Sequence, residues 1–406
     1  MADREHTGEV PAHVPPHLVH EFDFRTGLGD RPHDVISALH AGPPIFYSPV
    51  HHHREHGKGT WVATRAADIR RVLQDSDNFS SKNKTARGQG RGWGLIPLEA
   101  DPPDHGAYRA LMNPLFSPAR IAELEVKMRA RAVDLIEQLL PHGGCDFVTD
   151  FAQRFPAAIF VDLMGLPSDE VPRFMAWESR MLGGDIAAKA NATDEVVAYL
   201  EALAEQRRAV PTNDLMSFAV TVQKDGKPLS QAEVMGMAFL LFIGGLDTVA
   251  STLGFQFRHL AEHPGQRAVL RDQPELIPQA IEELLRAYAV VTTSRFASAD
   301  VELAGIMVRK GDLVSCSTIL ASRDPQEFPD PARIDFTRTP NRHNAFSFGA
   351  HRCIGSHLAR RELIIAHEEW LKRVPNFEIR QGEQITAHGG GVLGLDTLPL
   401  VWGQPA

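Results

Sequence analysis

Apolar residues recur three or four positions apart over most of this chain, and a few stretches are unusually regular. From Pro118 to Leu140, the residues Ile121, Leu124, Met128, Ala132, Leu135 and Leu139 fall on one stripe, which predicts an amphipathic helix. A longer stretch opens at Ser230 with Glu233 three residues on, the spacing of a capping box, and stops before Pro264. That predicts a helix of over thirty residues. Its middle, from Val234 to Leu246, is apolar on most faces and belongs inside a core; the run is too short to span a bilayer and ends at Asp247. Short alternating segments predict strands at Thr60 to Arg65, Ser294 to Ser298, Val301 to Val314 and near the C-terminus. The expected fold is mainly α with a minor β region, and no repeat or linker divides residues 1–406 into more than a single domain.

Composition narrows the class. A chain of 406 residues can bury a large core. A formal net charge of -9 argues against nucleic acid and anionic membrane as partners. Cys145, Cys316 and Cys353 are too far apart for a zinc site or a disulfide framework, which fits a reducing cytoplasm. The proline-rich N-terminus lacks the basic start and apolar run of a signal peptide, so a cytoplasmic protein is expected. His51 to His56 has no helical pair spacing and reads as a solvated loop. Gly88 to Gly94 lacks the lysine of a phosphate loop and reads as a loop too.

Three constellations carry candidate chemistry. In the long helix, "GGLDT" puts Gly244 and Gly245 in the interior, where each costs about 1 kcal/mol relative to alanine. Thr248 lies four residues after Gly244, so its hydroxyl can bond the Gly244 carbonyl and open the helix there. Asp247 would place an acid in an apolar setting. One reading is a kinked helix packed tightly on a neighbour; the other is a groove offering an alcohol and an acid beside a cavity. The second constellation, "EELLR", places Glu283 and Arg286 on one helix face within an apolar segment, as a buried pair would require. The third is "FSFGAHRCIGSHLARRE". Here Cys353 sits where a loop becomes a helix, with His351 and Arg352 before it and glycines at Gly349 and Gly355. A helix N-terminus and nearby cations favour thiolate, and small residues let a flat object approach the sulfur. A nucleophilic enzyme would need an oriented base and an oxyanion hole, which the segment does not supply. A thiolate ligand to haem iron fits better.

Phe346, Gly349, Cys353 and Gly355 resemble the cysteine loop of the cytochrome P-450 haem-thiolate monooxygenases, a ligation type that general haem chemistry associates with that family. "GGLDT" resembles the family's oxygen-activating helix. Glu283 and Arg286 match its paired helix, and Arg333 falls where a third member is expected. His105 and Arg109 in "DPPDHGAYR", with Arg295 in "SRF", resemble propionate partners. The likeness covers nearly the whole chain and is strongest to camphor-hydroxylating bacterial members.

The resemblance implies haem b held by Cys353, with His351 in the same loop. It implies that Thr248 donates a hydrogen bond during oxygen activation while Asp247 relays protons. The partners implied are O2, a small substrate, and a [2Fe-2S] ferredoxin fed by a flavin-dependent reductase; a monomer is expected. Arg109, Arg352, Arg360 and Arg361 could form a basic face for that ferredoxin. The lining positions carried over are Trp93, Leu95, Ile96, Leu98, Leu240 and Ile243, with Gly244, Val290, Val291, Thr293, Gly391 and Val392 completing the wall. Most are aliphatic, so the expected substrate is a compact bicyclic monoterpenoid, with 1,8-cineole preferred to camphor because Trp93 stands where the camphor hydroxylase has a tyrosine. Thr293 replaces an acid, and Gly391 replaces a branched aliphatic. Met175, Ser179 and Gly183 stand where a lysine, an acid and an arginine are expected around Asp247. A peroxygenase or isomerase would be signalled by loss of the acid–alcohol pair, and a haem sensor by an appended domain; neither signal is present.

Overall fold

A computed structural model of the chain describes residues 9–50, 59–82 and 91–403. The segment His51 to His56 and residues 88–90 of the stretch Gly88 to Gly94, both read as loops, lie outside the described residues. The family-level expectation of a helix-rich fold with a small β region is met.

Contacts within the chain fall into two compact units. One comprises residues 1–86, 278–353 and 384–396; the other comprises 87–277, 354–383 and 397–406. The first unit contains a five-stranded sheet in the order Ile45–Ser48, Thr60–Ala63, Leu313–Ser317, Thr292–Ala297, Phe79–Ser80. Thr60–Ala63 and Leu313–Ser317 run parallel and the other neighbours are antiparallel. Thr60–Ala63 and Leu313–Ser317 are buried along their whole length, so their alternating pattern does not mark a solvent face, whereas Thr292–Ala297 is buried at only half of its positions. The alternating stretch Val301 to Val314 is not one strand. Ala304 (φ 51°) and Gly305 (φ 77°) turn it into a hairpin of Val301–Leu303 and Ile306–Val308, and the third piece, Leu313–Ser317, joins the large sheet. Two consecutive positive φ values suit a two-residue hairpin turn.

The second unit is built on helices. The long helix, Gln231–Glu262, starts at the expected capping box: Glu233 N donates to Ser230 Oγ at 3.3 Å, and Ser230 N donates to Glu233 Oε2 at 2.7 Å. It is long and apolar enough to cross a membrane, yet most of its apolar stretch is buried within the protein. It forms the core with Arg154–Leu163, Val171–Gly183 and Ile186–Ala209, which all pack on it. The helix Pro118–Leu139 begins at Ser117, whose side chain accepts from Arg120 N. It buries Ile121, Met128, Ala132, Ile136 and Leu139; Ile136 takes the place expected for Leu135, and Leu124 is only half-buried.

Pro118–Leu139 also packs along Ser356–Arg373 through a charge cluster. Arg129 donates to Glu125, Glu368 and Glu369, while Arg361 pairs with Glu125 and Arg373 with Glu369.

Candidate active site

The cysteine loop is a tight, locked turn in the first unit. Ser347 N donates to Asn344 O at 2.8 Å, Arg352 N to Gly349 O at 3.1 Å and Cys353 N to Phe346 O at 2.9 Å. Gly349 has φ 71°, and any Cβ there would collide with the carbonyl oxygen of Leu73. Glycine is therefore required twice over, by conformation and by space. The loop presents Cys353 as an exposed thiol, whereas Cys145 and Cys316 are buried. Burial pushes the Cys145 thiol up, away from the ionised form a metal would take. His351 and Phe346 are half-buried on the same loop. Gly355 caps the following helix, Ser356–Arg373.

Arg295 lies in the central sheet opposite Val314 and is 2% exposed. Its Nη1 donates to the Ser294 carbonyl at 2.8 Å and to Thr293 Oγ1 at 3.4 Å, so the threonine that replaces an acid is an acceptor for it. The residues just before this strand meet residues 391–393, and both stretches carry expected lining positions. Val291 bridges Val392, Thr292 N donates to Gly391 O at 2.9 Å, and Leu393 N donates to Val290 O at 2.8 Å. A Cβ at Gly391 would meet nothing within 4 Å, so this position opens onto space.

The Glu283–Arg286 pair is fully buried and bidentate, with both N–O distances 2.8 Å. Its third member differs from expectation. Arg333 contributes only its carbonyl, which accepts from Arg286 Nη2 at 3.2 Å, and its own side chain is 69% exposed. The guanidinium that reaches Glu283 belongs to Arg338, with Nε 3.1 Å from Oε1. The loop turns at Asp335, whose N also donates to Glu283 Oε1, and this carries the side chain of Arg338 inward.

In the second unit, the two glycines of the long helix separate the two readings of "GGLDT". A Cβ at Gly245 would press on the Phe160 ring at 3.3 Å, so Gly245 permits close helix packing. A Cβ at Gly244 would meet nothing within 4 Å, and Gly244 is exposed in the middle of a buried helix. Thr248 Oγ1 donates to Gly244 O at 3.3 Å, as expected, but the helix continues unbroken through this turn. Asp247 is 9% exposed and accepts from Ser251 Oγ at 3.1 Å.

Sequence reasoning missed Asp247's acidic neighbour. Ser179 stands where the resemblance implies an acid, and the acid beside Asp247 is its neighbour: Glu178 is 8% exposed and feels the charge of Asp247. Burial and that charge both push the Glu178 carboxyl well above the usual carboxylate range. The helix stripe of Phe174, Trp177, Glu178 and Met181 carried the signal, since its spacing puts Glu178 on the apolar face.

His105 and Arg109 lie one turn apart on the helix Asp104–Met112, His105 buried and Arg109 half-buried. Trp93 tilts against Phe239 with ring centroids 5.3 Å apart. Ile96 N donates to Gly236 O at 3.4 Å, while Ile96, Leu98, Leu240 and Ile243 pack beside Trp93 in one apolar cluster. Leu95, expected in the lining, is instead sealed in the core at 0% exposure, with its N donating to Glu99 Oε2. Arg361 is held by Glu125 and Arg360 donates to the Ser356 carbonyl, so the basic face expected there is partly neutralised.

Within the first unit, the exposed Cys353 on its amide-locked loop and the buried Arg295 are the thiolate and cation types that suit haem iron and its propionates. Residues 161–384 match the family described as Cytochrome P450. The chain is 42% identical to "Probable cytochrome P450 127A1" of Sinorhizobium fredii, over 98% of each chain. It is 34% identical to "Mycinamicin IV hydroxylase/epoxidase" of Micromonospora griseorubida, over 86% of this chain and 90% of that one. The solved structure of cytochrome P450 CYP101C1 superposes with a TM-score of 0.88 at 35% identity, covering 97% of this chain and 100% of that one. That of CYP101J2 gives 0.88 at 30% identity, covering 97% and 99%. The chain belongs to the cytochrome P450 family. It is a haem b monooxygenase that consumes O2 and takes electrons from a redox partner.

Proposed function

We propose that this enzyme hydroxylates an unactivated C–H bond of a compact apolar terpenoid, a bicyclic monoterpenoid such as 1,8-cineole or camphor. The proposed electron donor is a [2Fe-2S] ferredoxin with a flavin-dependent reductase. The observation that supports the substrate class is the character of the proposed lining positions: Leu240 and Ile243 of the second unit and Val291 and Val392 of the first are aliphatic, and a Cβ at Gly244 or Gly391 would meet nothing within 4 Å. Apolar area then supplies affinity, and the Trp93 N–H is available to orient one substrate oxygen.

In this reading Cys353 holds the iron, and Arg295, His105 and Arg109 hold the propionates. Bound haem supplies O2 activation and oxidation of the C–H bond. The chain's own work is to orient the substrate, exclude water and deliver protons. Thr248 holds a hydrogen bond at its Oγ1, which can exchange the Gly244 carbonyl for a water or a ligand. Asp247 moves protons from the interior of the second unit toward Thr248.

Two measurements test this reading. With Cys353→His, the reduced carbon monoxide complex should lose the red-shifted Soret band of thiolate ligation together with the hydroxylase activity; an unchanged spectrum ends the assignment. Titration with cineole, camphor, a linear terpene alcohol and a fatty acid should give the largest low-to-high-spin shift with a bicyclic compound. If the fatty acid gives the largest shift and is hydroxylated best, the terpenoid reading is wrong. If camphor beats cineole with tight coupling, only the inference from Trp93 falls.

A further inference from the structure

Within the first unit, residues 22–33 form a strap anchored at both ends. At one end, Phe22 N donates to Ser48 Oγ at 3.2 Å, and that hydroxyl donates to Phe22 O at 2.7 Å. At the other, the buried His33 places Nε2 2.9 Å from the carbonyl oxygen of Ala289, the residue before Val290 and Val291. A carbonyl only accepts, so Nε2 is the donor. Between the anchors, Asp23 fixes the shape of the strap. Its carboxylate accepts from Arg25 N at 3.0 Å and grips the Arg25 guanidinium through Nε at 3.0 Å and Nη2 at 2.9 Å.

The strap bears on a hairpin in which Ala387–His388 pairs with Gly394–Leu395, and whose tip carries Gly391 and Val392. A Cβ at Gly389 would lie 1.9 Å from the Phe24 carbonyl oxygen and 2.8 Å from Leu28 Cδ1, so only glycine leaves room there. A Cβ at Gly390 would lie 3.7 Å from Arg25 Cγ, which puts the stem that Asp23 holds against the same hairpin. A Cβ at Gly391 would meet nothing within 4 Å. In a regular strand Gly389 and Gly391 would share a face. Gly390, with φ 139°, breaks that alternation, so the strap closes the hairpin at Gly389 and leaves it open at Gly391. The bonds from Thr292 N to Gly391 O and from Leu393 N to Val290 O join the tip to residues 290–292, so a shift of the hairpin reaches both stretches.

We infer that this strap sets the size of substrate the enzyme accepts, with Leu28 and Asp23 as specificity-determining residues that act by holding the hairpin at Gly389. Neither belongs to the proposed lining. The inference rests on the reading of Gly391 and Val392 as wall positions. Protein interiors are close-packed, so volume removed behind a wall is felt at its front.

The test measures binding of azoles of graded bulk, imidazole, 4-phenylimidazole and a biphenylyl imidazole, to the haem-loaded ferric protein. Each ligates the iron through nitrogen and shifts the Soret band, so affinity is read whatever the natural substrate is. Leu28→Ala gives the hairpin room to retreat. The ratio of bulky to small azole affinity should then rise about tenfold, the lower end of what one methylene is worth in an apolar pocket. Gly389→Ala denies the hairpin its seat and should lower the same ratio. Asp23→Ala, which loosens the strap without emptying the core, should move the ratio as Leu28→Ala does, but less. Val35→Ala, an exposed position on the following helix Pro32–Ser37, should leave it unchanged. If Leu28→Ala does not take up haem, Leu28→Val and Asp23→Ala decide by the same ratio. Variants that melt lower but keep the wild-type ratio show a purely structural strap and overturn the inference. So does a ratio that moves the same way in Leu28→Ala and Gly389→Ala. Val392→Ala, at the wall itself, separates the two levels: if it raises the ratio and the strap variants do not, the strap inference falls and the wall reading stands. If none of them moves the ratio, the wall reading falls too. The terpenoid reading is judged apart from both, by the wild-type titrations with cineole and the fatty acid.

Discussion

Glu283 and Glu178 are both buried glutamates, at 1% and 8% exposure, one in each unit, and their surroundings are opposite. Glu283 takes two donors from Arg286, and one each from Arg338, Asp335 N and Asn341. Among the described residues, Glu178 feels a second acid, Asp247, and no cation. Burial is the same observation in both cases, so burial alone says nothing about role. The count of donors does. A carboxylate saturated by donors ties a loop to a helix and has no proton to give. One starved of donors must hold its proton, which makes it usable.

The sharpest way to break this contrast is the same substitution at both places. Glu283→Gln strands Arg286, which is 0% exposed, and weakens the hold on Arg338. Removing one partner of a buried pair typically costs about 3–5 kcal/mol. That is a large part of the whole stability of a typical protein, so haem incorporation should fall as well. Denaturant unfolding checks this, and a loss below about 1 kcal/mol would show that the pair is not the brace it looks like.

Glu178→Gln should act in the other direction, and the sign follows from linkage. The unfolded chain ionises this side chain near its ordinary value of about 4.3, while burial and Asp247 keep the folded form protonated to higher pH. Between those two values the unfolded state binds fewer protons, so wild-type stability falls as pH rises. The glutamine variant lacks that loss. Its advantage should therefore grow with pH above about 4, by at most about 1.4 kcal/mol per unit for one proton. Paired unfolding curves at several pH values measure it; a variant whose deficit grows with pH would mean that Glu178 is ionised in the fold.

The smallest effect sharpens the other side of the comparison. Arg333→Ala keeps the carbonyl that Arg286 uses and deletes an exposed side chain, so it should stay within about 0.5 kcal/mol of wild type. Arg338→Ala removes a charged donor from Glu283 and should cost about 1.5–3 kcal/mol. If thermal melts give the reverse order, the brace has been assigned to the wrong arginine.

The sequence revealed most where local chemistry is sufficient. The capping box at Ser230, the hydroxyl of Thr248 on Gly244 and the pairing of Glu283 with Arg286 are decided within one helical turn, and all three are found as expected. The errors lie where a distant partner decides. Arg333 and Arg338 both precede the cysteine loop, and only the turn at Asp335 selects between them. Leu95 resembled a lining residue by alignment but is drawn into the core by its own loop. Glu178 is next to Ser179, the position at which the resemblance implies an acid, and only its helix stripe shows that it is the residue on the apolar face. "GGLDT" was legible as special, but only packing against Phe160 separates the role of Gly245 from that of Gly244.

The contact at Gly236 bears on how this enzyme could change over generations. Any side chain there would run into the carbonyl oxygen of Gly94, because the segment with Trp93, Ile96 and Leu98 lies directly on the helix backbone at that point. Gly236 sits two turns before Gly244 and belongs to none of the proposed lining. A single substitution at this buried glycine must displace the Gly94 backbone, next to Trp93. Drift at one inconspicuous glycine can therefore redraw the menu of accepted molecules without altering a single wall residue, and a mutational search confined to the wall would never find it.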